Sequence, residues 1–201
     1  MRVDRQEQRR RERRRTIALA CHERFAAESQ PTLEDLARDA GLSRQNLLFY
    51  FQDKTDLWAE AVVTAAEALF PVLQRLVEGE VGTPAIRALR RAIDEVERVL
   101  PAPFAIWLDG TLLPGASPLQ RARAVDRQAS FLEAFARSLS APKAPGLSSQ
   151  RFARFAWQAL LSPHREARSH ARSGLVPAPS LAAELDWTEA QLVLLARNLL
   201  R

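Results

Sequence analysis

Gly41 constrains this chain most, because it separates two short apolar patterns that cannot belong to one helix. Before it, Leu33, Leu36, Ala37 and Ala40 fall at i, i+3, i+4 and i+7, which is one face of a helix. Thr32 stands where that helix begins, with Asp35 three positions on, as in a capping box. A glycine just past the last turn takes the left-handed conformation that ends a helix. Leu42 fills the gap and Ser43 caps the next helix. Two short helices about a glycine-containing turn make a helix-turn-helix over residues 32–51.

The second of these helices opens with Arg44, Gln45 and Asn46 and then crowds Leu47, Leu48, Phe49, Tyr50 and Phe51 together. At about 100° per residue, Leu47, Leu48 and Phe51 are expected to face inward against the two preceding helices. Gln45, Asn46, Phe49 and Tyr50 then face outward, with Arg44 at the exposed start. A recognition helix needs this arrangement. Its first turn enters the major groove, where Arg pairs with guanine and Asn or Gln with adenine. Phe49 can touch thymine methyls or sugar, and Tyr50 can donate to phosphate. Asp53 caps the following helix and puts Lys54 in its first turn, near the DNA backbone. The bland alternative, a merely polar helix end, leaves two exposed aromatics beside it unexplained.

Charge points the same way. Residues 1–15 carry eight arginines against Asp4, Glu7 and Glu12, which is the chain's whole net charge of +5. The remainder balances, and Lys54 and Lys143 are its only lysines. An Arg-rich arm on a neutral body predicts a polyanion partner, with Arg10, Arg11, Arg13 and Arg14 as candidate DNA contacts. The alternative is a solvated helical extension, with Glu7 and Arg11 paired one turn apart.

Seven glycines against abundant Ala, Leu, Arg and Glu favour helix, and no strand-like alternation persists, so the chain is read as all-α. Proline-, glycine- and serine-rich stretches divide helices expected near 5–28, 32–40, 43–51, 54–78, 84–100, 103–109, 118–140, 149–161, 163–172 and 180–200. Thr83-Pro84, Ser117-Pro118 and Ser162-Pro163 read as helix starts. The first helix places Ile17, Ala20, Cys21 and Phe25 on one stripe. A compact three-helix start gives way to longer helices near residue 55. The expected division is therefore a DNA-binding domain over 1–55 and an effector-binding and dimerisation domain over 56–201.

The residues from about Ile17 to Leu57 carry a dense, ordered pattern. Phe25-Ala26 ends a helix, Thr-Leu-x-x-Leu-Ala-x-x-Ala-Gly-Leu-Ser runs from Thr32 to Ser43, and Leu-x-x-Tyr-Phe-x-x-Lys-x-x-Leu runs from Leu47 to Leu57. This resembles the TetR family of bacterial transcriptional regulators. The resemblance implies a homodimer, a DNA-binding N-terminal domain, and a C-terminal domain that dimerises and usually binds a small effector. It also implies base contacts at Arg44, Gln45, Asn46 and Phe49, and phosphate contacts at Thr32, Tyr50 and Lys54. Two departures stand out: the link Glu28 to Pro31 is short, and Leu48 stands where the family often has a phosphate-binding Tyr.

Further on, positions 181, 185, 188, 192, 195 and 199 hold Leu181, Leu185, Thr188, Leu192, Leu195 and Leu199 at 4-3-4-3-4 spacing. That seam suits helix packing at shallow angles, and Phe152, Phe155, Ala156, Ala159 and Leu160 give a comparable face. Together they are the expected dimer interface; the alternative is that the protein's own core fills both. Phe104 and Trp107 are candidate lining residues of an effector pocket, with Asp109 or His164 as polar anchor. Core packing is the alternative for each.

Enzyme chemistry finds no support. His164 and His170 are spaced too far around a helix to share a metal, and no phosphate loop or nucleophile motif is present. No cofactor is expected. One cysteine, Cys21, on the apolar face of the first helix, suits a reducing cytoplasm and is expected to be inert. The expectation is a cytoplasmic regulator of operator DNA, more readily a repressor than an activator, released by a small molecule. The alternative is a DNA-binding regulator without a ligand, controlled by a protein partner. A third alternative, an RNA- or membrane-surface-binding protein driven by the arm, would ignore the 44–50 face.

Overall fold

The computed structural model describes residues 2–27, 30–110, 117–139, 148–173 and 180–199. Among them are ten helices and no strand: α1 (Arg2–Ala20), α2 (His22–Ala27), α3 (Leu33–Asp39), α4 (Arg44–Tyr50), α5 (Lys54–Val77), α6 (Thr83–Val99), α7 (Pro101–Gly110), α8 (Pro118–Ser138), α9 (Ser149–Ser173) and α10 (Leu181–Leu199). The fold is all-α. Glu28 and Ser29 of the short link lie outside the described residues.

Several boundaries differ from the sequence expectation. The first helix is interrupted at Cys21, whose N–H is shared between the Ile17 and Ala18 carbonyls at 3.2 Å each. Beyond it α2 buries His22 and Phe25. In α9 the helix runs straight through Ser162 and Pro163, so Ser162 is not a cap. An internal proline forfeits a backbone hydrogen bond and crowds the carbonyl four residues back. Burial of Trp157, Leu160, Leu161 and His164 around it outweighs that cost. Ser117 does cap α8: it accepts from Gln120 N at 3.2 Å while Gln120 Oε1 accepts from Ser117 N at 2.9 Å, a closed capping box. Thr83 is the first residue of α6, one place inside the expected cap.

The chain packs as two compact units that are not continuous in sequence: residues 1–69 with 100–127, and 70–99 with 128–201. The cut drawn at residue 55 does not coincide with them. In the first unit Ile17, Ala18, Phe25, Leu36, Leu47, Phe51 and Leu57 form the core of the helix-turn-helix. Each such large side chain contributes about 1.5–3 kcal/mol on burial. Phe25 meets Trp58 edge-on at 4.9 Å, and α2 packs on α7. Gly110 lies so close to Val62 that any Cβ there would collide with it. The second unit is centred on Phe131, which lies 5.6 Å from Phe70 and 5.3 Å from Trp157, and α10 packs on α6 and α9.

Candidate nucleic-acid interface

The turn between α3 and α4 is built by hydrogen bonds, not by apolar surface. Thr32 Oγ1 caps α3, accepting from Asp35 N at 3.2 Å and donating to Asp35 Oδ2 at 2.5 Å. At its other end Gly41 has φ +63°, with Gly41 N bonded to Arg38 O and Leu42 N to Ala37 O. Those two bonds are a Schellman motif, which only a left-handed residue can close at this cost. Ser43 Oγ then accepts from Asn46 N at 3.2 Å and starts α4. Leu47 and Phe51 anchor α4, both fully buried.

Leu48 does not join them. It is 39 % exposed, against the inward position expected for it, and Phe49 is 69 % exposed. The reason is angular. At about 100° per residue Leu48 falls between Arg44 and Gln45, and Phe49 falls beside Gln45. With Leu47 and Phe51 inward, that face has to point out. The outward surface of α4 is therefore Arg44, Gln45, Leu48 and Phe49, with exposed Asn46 and half-buried Tyr50 on its flank. Phe49 and Tyr50 meet edge-on at 5.2 Å.

Arg44 is already oriented. Its Nη1 lies 2.9 Å from Glu34 Oε1 in the first turn of α3, and both side chains are more than half exposed, so the pair steers more than it stabilises. At the start of α5, Asp53 Oδ1 accepts from Asp56 N at 2.8 Å, the expected cap. Lys54 Nζ donates to Gln30 Oε1 at 3.0 Å.

The arm is helical from Arg2 onward as part of α1. Arg5, Arg9 and Arg13 are exposed, and Arg11 pairs with Glu7 at 2.6 Å. Arg10 and Arg14 reach towards α4, Arg10 from an exposed position and Arg14 from a part-buried one. Arg10 Nη2 donates to Phe49 O at 3.3 Å and its guanidinium lies over the Phe49 ring. Arg14 Nη1 donates to Tyr50 O at 2.5 Å, and the guanidinium lies over the Phe51 ring at 4.3 Å and grips Asp56 with two hydrogen bonds. Its side chain is 20 % exposed. Arg14 therefore has its own protein partners, contrary to its place among the expected DNA contacts. Cations here complete the carbonyls left over at the C-terminus of α4 and oppose its dipole.

The four effector candidates are packed. Phe104 and Trp107 on α7 are each 3 % exposed, and Asp109 is half-buried on the same helix. His164 belongs to the second unit and is buried on α9, with Nδ1 3.2 Å from Glu97 Oε2. A groove of about 450 Å³ between α6 and α10 is lined by none of them. It is edged by Arg87, Asp186, Glu189 and Arg197, and Arg87 lies 3.6 Å from Glu189.

The expected dimer seam divides. Phe152, Leu185 and Leu192 are buried in the protein's own second unit, Leu192 at 1 % exposure, while Ala159 and Leu181 are half-buried. Phe155 and Leu195 are exposed, and the side chain of Leu199 lies outside the described residues. On the opposite side of α10 a second stripe repeats the 4-3-4 spacing: Ala183, Trp187, Ala190 and Leu194, all exposed, Trp187 at 67 %.

No family model matches this sequence and no curated protein does. Solved structures do match. SmeT, the repressor of the Stenotrophomonas maltophilia multidrug efflux pump SmeDEF, is 17 % identical over 94 % of this chain and 90 % of its own, with a TM-score of 0.58. The TetR-like regulator LfrR from Mycobacterium smegmatis, in complex with proflavine, is 20 % identical over 90 % and 94 %, with a TM-score of 0.56. A TetR family transcription regulator from Marinobacter aquaeolei VT8 is 17 % identical over 92 % and 97 %, with a TM-score of 0.57. The chain has the TetR fold. No described helix is long and apolar enough to cross a membrane.

Proposed function

We propose that this TetR-like chain is a sequence-specific DNA-binding regulator that acts as a homodimer on operator DNA in the cytoplasm. The observation that carries the reading is the outward face of α4. Arg44, Gln45, Leu48 and Phe49 stand exposed on a seven-residue helix whose inner residues Leu47 and Phe51 are buried. An isolated helix that short is not stable in water, so its docking onto α1–α3 exists to hold this face in place. Arg44 and Gln45 supply the hydrogen-bonding patterns for guanine and adenine, and Leu48 and Phe49 the apolar contact for thymine methyls. Thr32, Tyr50 and Lys54 flank the face as phosphate contacts, and Asn46 is a third base reader. The division into a DNA-contacting part over 1–55 and a regulatory part over 56–201 belongs to the same proposal.

Dimerisation follows from the Trp187 stripe. Ala183, Trp187, Ala190 and Leu194 form an exposed apolar seam at coiled-coil spacing, and an operator of two half-sites requires two copies. Repression released by a small molecule is the regulatory mode; the LfrR structure holds proflavine in a protein of the same fold. The close packing of Phe104 and Trp107 favours a second reading, control by a protein partner.

Selection of bound duplex from a random pool, followed by gel-shift titration, tests the function. A palindromic consensus is expected, and Arg44→Ala, Gln45→Ala and Asn46→Ala should each lose affinity for it while random duplex binding changes little. Recovery of no consensus, or wild-type affinity in all three variants, overturns the reading.

A further inference from the structure

Asp56 collects more hydrogen bonds than a helix-start residue needs. Its Oδ1 accepts from Arg14 Nη2 at 2.6 Å and from Gln120 Nε2 at 2.9 Å; its Oδ2 accepts from Arg14 Nη1 at 3.1 Å and from Gln52 N at 3.1 Å. Gln120 also donates to the Asp56 carbonyl at 3.2 Å, while its own Oε1 closes the capping box of α8. Gln120 is 5 % exposed, and both ends of its amide are assigned by these partners. A parallel connection lies one and three turns further along α5. Arg123 of α8 bridges Glu60 at 3.1 Å and Glu67 at 2.8 Å; Glu67 holds Arg15 at 3.2 Å, and Glu60 lies 3.8 Å from Arg14. The N-terminal part of α8, the face of α5 and the basic face of α1 are thus one ionic network, and its end point is the Tyr50 carbonyl at the C-terminus of α4.

We propose that Arg14, Asp56 and Gln120 are positioning residues for the recognition helix, through which the start of α8 sets how α4 is seated. Arg14 does this by capping α4, Asp56 by fixing the Arg14 guanidinium with two parallel bonds, and Gln120 by tying that carboxylate to α8. A bidentate pair transmits position as well as charge, because its two bonds hold only one orientation. A displacement of α8 that withdraws Gln120 leaves the carboxylate one donor short and removes its tie to α8, so that the Asp56–Arg14 pair can shift. The relay rests on the proposed function for its consequence at DNA, and on the geometry alone for its effect on α4.

The test uses the full chain with Arg14→Ala, Arg14→Lys, Gln120→Leu and, as control, Arg13→Ala. Two quantities are read: operator and random-duplex affinity across a salt series, and hydrogen exchange at the amides of residues 47–51 without DNA. Arg14→Ala and Gln120→Leu should weaken operator binding about tenfold, as loss of a charged hydrogen bond does, with the salt slope unchanged because every phosphate contact remains. The 47–51 amides should exchange faster in both, and Arg14→Lys should fail to rescue, since an ammonium cannot make the two-pronged bond. Arg13→Ala should instead lower the salt slope by about 0.9. A lowered slope in Arg14→Ala overturns the positioning role in favour of a phosphate contact. Unchanged α4 exchange in Gln120→Leu overturns the link to α8. The exchange measurement needs no DNA, so a protein that binds no duplex would sink the proposed function while the relay is still decided.

Discussion

His22 Nε2 lies 2.8 Å from the hydroxyl of Thr64, which joins α2 to the middle of α5 inside the first unit. The Thr64 proton is directed at the Glu60 and Ala61 carbonyls, at 3.1 and 2.9 Å, so the hydroxyl accepts and Nε2 carries the hydrogen. The imidazole is 5 % exposed. Burial pushes its pKa from 6.5 down to about 4, against a smaller upward pull from a backbone hydrogen bond with Ala61. In the unfolded chain the ring protonates near 6.5, so between about 6.5 and 4 the unfolded state binds more protons. Stability is therefore full above pH 6.5 and lost progressively towards pH 4, by an amount of order 3 kcal/mol. Thermal unfolding across pH 7 to 4 should show that loss, and His22→Asn should flatten it. Equal slopes in the two proteins would mean that His22 does not titrate as buried.

Leu48 provides a test of the reading face. A buried leucine truncated to alanine costs about 2–5 kcal/mol of stability, and an exposed one far less. Leu48→Ala should therefore leave the melting temperature within a few degrees of wild type. It should still lose affinity for a selected operator, and replacing thymine by deoxyuridine in that operator should cost wild type more than the variant. A large stability loss without any change in thymine preference would return Leu48 to the core.

Thr32, Gly41 and Ser43 were readable in the sequence because caps and left-handed glycines are local chemistry; one capping side chain decides Thr32 and Ser43 each, and two backbone bonds decide Gly41. Leu48 was not, because in a seven-residue helix both Leu47 and Leu48 satisfy an apolar pattern and only the docking of Phe51 chooses between them. Ser162-Pro163 failed for a related reason. The same dipeptide fits a helix start or a proline carried inside a helix, and burial from distant residues selected the second. The pairing of α2 with α7, and hence the non-sequential units, is carried by contacts with no local signature.

The two stripes on α10 make opposite predictions for one kind of substitution. Leu192 is in the core, so Leu192→Asp buries an unpaired charge and should unfold the second unit. Trp187 and Leu194 are exposed, so Trp187→Glu with Leu194→Glu should leave the circular dichroism spectrum and melting of the monomer intact while dissociating the dimer. Operator affinity should fall with it, since both half-sites must be engaged together. Sedimentation that finds an intact dimer in the double variant would remove this stripe from the interface.

The arm yields a prediction that depends on its being a helix. Arg5, Arg9 and Arg13 recur every four residues along α1 and are exposed, whereas Arg10 and Arg14 are turned towards α4. A helix with side chains is about 10–12 Å across, and the minor groove of B-form DNA is about 6 Å wide. The arm as built cannot lie in that groove; its Arg5, Arg9 and Arg13 stripe is suited to run along phosphates instead. Deleting residues 2–9 removes Arg5 and Arg9 but keeps the caps on α4, so seating of the recognition helix should survive. Affinity should then fall for operator and random duplex alike, with half-site preference unchanged. Removing one arginine from a phosphate lowers the slope of log K against log salt by about 0.9. Arg13→Ala, added to the deletion, should lower it once more. Gel-shift titrations over a salt series compare the full chain with the truncation and with the truncation carrying Arg13→Ala, and parallel salt slopes in all three would mean that this stripe is a solvated extension that never meets DNA.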